Sequence, residues 1–281
     1  MTEATARPVA GASNSSDTVR RFLRSRRGGL LAFVVLALVG WQVIAPLLES
    51  DSVPRPLETF AFMWDEIRGV TLAPDNLYQA FLITMRRLVI GFVIAVVIGV
   101  PIGLLMGLSR RFEAYFRDLV VILLTLPYLI WALVLSMWFG FTDTAPILTV
   151  VLSAVPFIIL NVWEGVKDVP QDLLEMSRSY KMSRLTTLRH VIIPSQTPFL
   201  FAAARYGFAN GWKGVVVAEV FGAAAGAGWT IRYWYDAHRA YGVVGYAFFF
   251  VIFSLILERV LFGKLSKYVF RWRPSVMEDR A

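Results

Sequence analysis

Hydrophobic positions along this chain run in long unbroken blocks, not in the alternating or every-third-and-fourth patterns of a half-buried strand or surface helix. A helix crossing a hydrocarbon layer of about 30 Å needs about 20 apolar residues. Stretches free of Asp, Glu, Lys and Arg that approach or exceed this length are Gly28–Leu48, Leu88–Ser109, Leu119–Thr142, Thr144–Trp163 and Ala240–Leu257. Val191–Val220 is also apolar but contains Arg205, Lys213 and Glu219. It counts as a sixth span because 14 uncharged residues precede Arg205 and two further apolar stretches follow it. The expected fold is all-α and polytopic, with six transmembrane helices, or five if Val191–Val220 does not cross.

The remaining segments divide the chain. Residues 1–27 form a basic tail whose Ala-, Ser- and Thr-rich part, Met1–Asp17, reads as disordered. The arginines before the first span could open a leader, but the run is as long as a full span and no small-x-small site follows, so cleavage is not expected. Residues 49–80 are an external connection. Within it Thr59–Arg68 mixes Phe60, Phe62, Met63, Trp64 and Ile67 with charges, which fits either an interfacial helix or an ordinary structured loop. Residues 81–265 form a five-helix core that includes a connection at 164–194, and 266–281 form a second tail.

Composition agrees with the spans. Hydrophobic residues make up 57% and charged residues 17%, against about 45–50% and 25% in soluble domains; the mean hydropathy is +0.60. This argues against a soluble enzyme or a nucleic-acid-binding domain, despite a net charge of +8. The absence of cysteine excludes disulfides and thiolate metal sites, and His190 and His238 alone leave little material for a metal centre. Topology accounts for the basic excess. With six spans both termini share a side. That side takes six basic residues in the first tail, three in the connection at Arg110–Arg117, five in the connection at Lys167–Arg189 and six from Arg259 onward, 20 of the 28 in the chain. The first connection on the opposite side, Glu49–Arg87, carries six acids against four arginines. The positive-inside rule therefore places both termini of a multi-pass protein in the cytoplasm.

The connection Glu164–Pro194 is far longer than two neighbouring spans require. Asp168 can cap a helix and Pro170 suits its first turn. Asp172 and Glu175 lie near its positive end, Arg178 and Lys181 near its negative end, and Leu173, Met176 and Tyr180 form one apolar stripe. Ser183 can cap a second helix, with Leu185, Leu188 and Val191 or Ile192 on one face. Two short amphipathic helices at the cytoplasmic surface could lie on the bilayer, pack on their own spans or dock a partner.

This segment resembles the EAA loop of ATP-binding cassette importer permeases. Glu175-Met176-Ser177 stand at the Glu-Ala-Ala positions, Lys181 at the Gly position, and Ile192-Ile193-Pro194 at the end. Loss of the Gly removes the residue most at ease with positive φ and predicts a different turn between the two helices. Thr84–Gly107, Pro127, Trp138-Phe139-Gly140, Asn161–Leu174, Val217-Ala218-Glu219 and Phe270-Arg271-Trp272 are similar to the nitrate, sulfonate, taurine and bicarbonate branch, so the resemblance covers roughly residues 77 to 273. It implies a type I importer permease core acting as a homodimer, an extracytoplasmic solute-binding protein, and a separate ATPase dimer gripping the loop through Leu173, Glu175, Met176, Tyr180, Lys181 and Leu185. It implies no catalysis by this chain. No G-x-x-x-x-G-K-[ST] loop occurs here, so ATP would be bound by the partner and no cofactor by this chain. The solute left open by the branch is a sulfonate, nitrate, taurine or a related organic anion or heterocycle.

Within the spans, Gly99, Gly103 and Gly107 recur at helical spacing with Gly91 eight residues earlier, a stripe for close packing or for sliding during gating. Pro101 in the same span predicts a kink. Arg205, Lys213 and Glu219 are costly inside a membrane, about 2.5–3.5 kcal/mol each on insertion scales. Lys213 and Glu219 lie about 240° apart around a helix and should not pair directly. Lys213 with Arg205 could line a pathway for an anion; structural pairing or snorkelling is the plainer account. Trp131, Trp138, Trp163, Trp212, Trp229 and Trp234 fit an interfacial belt, Trp131 being the one most suited to line a pathway. Ala223–Gly228 reads as a small-residue hinge. A self-contained secondary transporter would show an internal repeat or paired broken helices, and no repeat relates the halves. A membrane-embedded enzyme would need clustered His, Asp or Glu within the spans, which Leu88–Trp163 lacks.

Overall fold

In the computed structural model, residues 26–47 and 52–271 are described, and within them every regular element is helical. Of the tails expected at 1–27 and 266–281, residues 1–25 and 272–281 lie outside the described residues, while 26–27 and 266–269 are helical. α1 (Arg26–Leu47) precedes a short α2 (Pro56–Ile67), a 32-residue α3 (Leu77–Leu108), α4 (Arg110–Thr125), α5 (Tyr128–Phe139) and α6 (Thr144–Lys167). Two small helices follow, α7 (Gln171–Ser179) and α8 (Arg184–Thr187), the latter running through a π-helical turn at Leu188–Ile192 into α9 (Ile193–Ser195). The described residues close with α10 (Thr197–Gly222), α11 (Ala227–Asp236), α12 (Ala240–Ile256), a second π-helical turn and α13 (Gly263–Val269).

Four of these helices are individually long and apolar enough to cross a membrane: Gly28–Leu47, Leu77–Leu108, Thr144–Lys167 and the continuous run Ala240–Val269. Two bent pairs bring the number to as many as six, α4 with α5 at 93° and α10 with α11 at 43°. The stretch Leu119–Thr142, expected as one straight span, is thus broken. The break falls at Leu126–Pro127, where Leu126 takes an extended conformation (φ −72°, ψ 121°), as the residue before a proline prefers. The expected span Leu88–Ser109 starts eleven residues too late, because Asn76 caps α3 in a full capping box with Gln79. α3 also continues through Pro101 as one helix.

The glycine stripe sets the core. A Cβ on Gly91 would meet Val150, on Gly99 Ile158, on Gly103 Val162 and on Gly107 Val166. Every pair is separated by the same 59 positions, so α3 and α6 run parallel and in register, backbone against branched side chains. Phe199, Gly207 and Gly214 of α10 meet Gly165, Ile158 and Ser153 of α6 in descending order, so α10 runs antiparallel to α6. Two parallel helices joined by α4 and α5 require that bent pair to return the chain across the bundle once. α6, packed on both sides, carries the buried core of Val150, Ala154, Ile158 and Val162. One end of the bundle therefore gathers the starts of α4 and α10 with α7–α9. The other gathers the start of α3, the α5–α6 turn, the end of α10, α11 and α2.

Candidate functional site

At this second end a charged cluster is buried. Glu219 of α10 and Arg87 of α3 are 0% and 3% exposed. The Arg87 guanidinium donates to Glu219 Oε1 at 2.7 Å, to the carbonyl of Ala225 at 2.6 Å and to Asp143 Oδ1 at 2.5 and 2.9 Å. Arg86 also pairs with Asp143. The second Glu219 oxygen accepts from the Thr84 hydroxyl at 2.7 Å and from the Gly228 N–H at 3.0 Å, while Thr84 accepts from the Ala227 N–H at 2.9 Å. Gly226 makes this possible: its φ is +110°, and a Cβ there would lie 2.5 Å from Glu219 Oε1. The cluster ties α3, the α5–α6 turn, α10 and the Ala223–Gly228 hinge to one point. Both oxygens of the buried carboxylate are hydrogen-bonded, the condition under which a buried ion pair is tolerated.

The opposite end carries the small helices. Leu174 packs on Val166, Val169, Val191 and Ile192, and Ser177 is buried. The neighbouring stripe of Leu173, Met176 and Tyr180 faces away from the bundle, with Leu185 of α8 beside it in sequence; their exposures are 36, 47, 77 and 73%. α7 begins after Pro170, and Asp168 closes α6 rather than capping α7, since Pro170 bars the earlier start. Ser183 caps α8 as expected, its hydroxyl accepting from the Thr186 N–H at 3.1 Å. Lys181 holds φ +51°. Lysine thus adopts a left-handed conformation at the position where the motif has glycine, the residue most at ease there. A cleft of about 850 Å³ separates α7 from the start of α4, lined among others by Arg110, Glu113, Arg117, Lys167 and Arg178.

Along α10, Gly207, Gly211 and Gly214 face α6, while Tyr206 and Lys213 point outward with Asn210 on the same face. Asn210 shares a small cleft of about 170 Å³ with Trp131, Tyr128 and Ser153 at the α4–α5 break. Arg205 pairs with Glu258 and is not grouped with Lys213, which has no ion-pair partner among the described residues.

A family model described as "Binding-protein-dependent transport system inner membrane component" matches residues 99–262. The chain belongs to this family. Over 202 residues, 72% of this chain and 73% of the relative, it is 34% identical to the putative aliphatic sulfonates transport permease protein SsuC of Escherichia coli. It is 29% identical to the nitrate import permease protein NrtB of Synechococcus elongatus over 72% of this chain and 73% of the relative. Against the SsuC protein of Bacillus subtilis the identity is 28% over 89% and 88%. The fold is also that of a solved chain of the MetNI methionine ABC transporter in an inward-facing conformation, with TM-score 0.61 and 21% identity over 69% of this chain and 95% of that one. The chain is thus a permease subunit of the ABC importer class, a non-catalytic transport component with several membrane-crossing helices.

Within this permease the predicted residues fall in three places. Leu173, Glu175, Met176, Tyr180, Lys181 and Leu185 gather on the α7–α8 turn. Gly99, Gly103 and Gly107 lie in the α3–α6 seam. The pathway candidates separate: Arg205 is paired, Glu219 turns inward to Arg87, Lys213 stays exposed and Trp131 lines the small cleft. The tryptophan belt needs correcting for two members. Trp212 is 7% exposed among Phe81, Phe250 and Phe253, and Trp234 is 3% exposed against Phe62 and Tyr241. Sequence reasoning missed Arg87, Thr84 and Asp143 because the spans were searched as charge-free runs. The available signal was Glu219 itself, since a carboxylate within an apolar run demands a cation from another helix.

Proposed function

We propose that two copies of this chain form the membrane pathway of an ATP-driven importer, with α7–α8 gripped by a separate cytoplasmic ATPase dimer and solute delivered from outside by a binding protein. The observation carrying this reading is the stripe of Leu173, Met176 and Tyr180, exposed with Leu185 at the end of the bundle where Arg110, Arg117, Lys167 and Arg178 line one cleft. An apolar stripe on a charged surface invites a protein groove, and a charge-rich end favours the cytoplasm. Nucleotide-driven closure of the ATPase pair would push α7; through α8, the π-turn and α9, which leads into α10, it would tilt the helices around α6. The solute is a small anion, a sulfonate, nitrate or taurine-like molecule. Lys213 supplies its counter-charge in mid-span, with Asn210 one turn away and Trp131 across the cleft. The test is co-purification with the ATPase and uptake in proteoliposomes. Leu173→Asp and Glu175→Arg should abolish association, while Lys213→Gln should keep association and lose uptake. Full ATPase association in both loop variants would reject the docking surface.

A further inference from the structure

α2 has three faces. At about 100° per residue, Thr59, Met63 and Glu66 share one face, and all three are buried. Met63 and Phe62 pack on Gly245, Phe62 stacks edge-on to Trp234 at 5.1 Å, and Tyr246 donates to Glu66 at 2.9 Å. Glu58 and Asp65 occupy a second, exposed face. Leu57, Phe60, Trp64 and Ile67 occupy the third, at spacings of three, four and three, and are 71, 44, 54 and 42% exposed. A helix standing free in water does not keep four large apolar side chains on one unpartnered face.

The neighbours of this third face identify its occupant. Phe60 stacks on Phe248 of α12 with ring centres 6.2 Å apart, and α12 goes on to expose Val251, Ile252 and Leu255. At the other edge the Tyr78 hydroxyl of α3 donates to the Ile67 carbonyl at 2.9 Å, and α3 goes on to expose Leu82, Val89, Val93 and Val97. The stripe is thus continuous with the outward apolar faces of two membrane-crossing helices. α2 also crosses α12 rather than following it: Phe60, Met63 and Glu66 advance about 9 Å along α2, while their partners Phe248, Gly245 and Tyr246 lie within one turn. Cations stand at both ends of the helix. Arg55 precedes it, and the Arg68 guanidinium lies 4.8 Å from the centre of the Trp64 ring. An indole beneath a cation suits the layer where acyl chains meet phosphates.

We infer that α2 lies flat in the membrane interface at the Arg87 end of the bundle, with Leu57, Phe60, Trp64 and Ile67 sunk among lipid chains, Glu58 and Asp65 in water, and Arg55 and Arg68 at the lipid phosphates. It acts as an outrigger fixing the depth and tilt of α12 and α3 against which the bundle rocks. The inference needs only that the long helices cross a bilayer, not the identity of the solute or motor.

The chain contains no cysteine, so single cysteines can be placed cleanly. Leu57→Cys, Phe60→Cys, Trp64→Cys, Glu58→Cys and Asp65→Cys would each be spin-labelled in the full chain, in vesicles of phosphatidylethanolamine and phosphatidylglycerol. Oxygen partitions into lipid and a nickel chelate into water. Collisions with oxygen should exceed those with the chelate several-fold at positions 57, 60 and 64, and the order should reverse at 58 and 65. The two acidic positions control for folding, being on the same helix with the opposite expectation. Chelate-dominated collisions at all five positions would overturn the inference and leave the stripe as a landing surface for a soluble protein. Exclusion of both reagents at 57, 60 and 64 would overturn it equally, by showing that protein covers the face.

Discussion

At the scale of single residues, the Arg87–Glu219 pair decides how α3 and α10 meet. Replacing one partner leaves a buried charge without compensation, which costs about 3–5 kcal/mol. Arg87→Met should therefore lower the thermal midpoint of the purified protein sharply, and pairing it with Glu219→Leu should return much of the loss. An unchanged midpoint in the single variant would mean that water reaches Glu219. Glu66 makes a different demand. Burial lifts its carboxyl above the ordinary 4.5, against the lowering influence of hydrogen bonds from Thr71 and Tyr246. The folded chain then holds a proton that the unfolded chain has released. The stability this contributes is full below the ordinary carboxylate value and is lost as pH rises through the raised folded one. Unfolding midpoints measured across that window should fall with rising pH, and Glu66→Gln should flatten the slope.

At the scale of elements, the α7–α8 turn shows how a departure from a motif is absorbed. Lys181 carries a side chain in a left-handed conformation, φ +51°, at a cost of about 1–2 kcal/mol relative to glycine. Lys181→Gly should stabilise the turn by about 1 kcal/mol in denaturant titration, while Lys181→Val should weaken it, since a branched Cβ tolerates that conformation worst. A destabilised glycine variant would show that the lysine side chain itself holds the turn. The cap at Ser183, the glycine stripe and the amphipathic α7 were all legible as local patterns, whereas the capping box at Asn76 was passed over. The break after Thr125 was legible only as Pro127. Nothing near it states that the two halves meet at 93°, because that angle is set by what α4 and α5 each pack against.

At the scale of the whole molecule, parallel α3 and α6 with antiparallel α10 place the charged cluster and the small helices at opposite ends of one rigid seam. A push on α7 would reach α10 through the Lys181 turn, α8, the π-helical turn and α9, and the Arg87 cluster would act as the far pivot. The importer reading then makes a direct demand: vesicles containing the chain alone should show no uphill uptake, and adding the ATPase, binding protein and ATP should restore it. Uphill transport by the chain alone would end that reading.

The apolar stretches, the Ser183 cap and the glycine stripe follow from the order of residues alone, because hydropathy, helix periodicity and caps act within a few turns of chain. The partners of Arg87 and Glu219, 132 positions apart, the paired state of Arg205 and the third face of α2 were decided only by the tertiary structure. Each depends on which helices become neighbours, and in a bundle of uniformly apolar helices that choice rests on backbone approach and buried charge rather than on hydrophobicity.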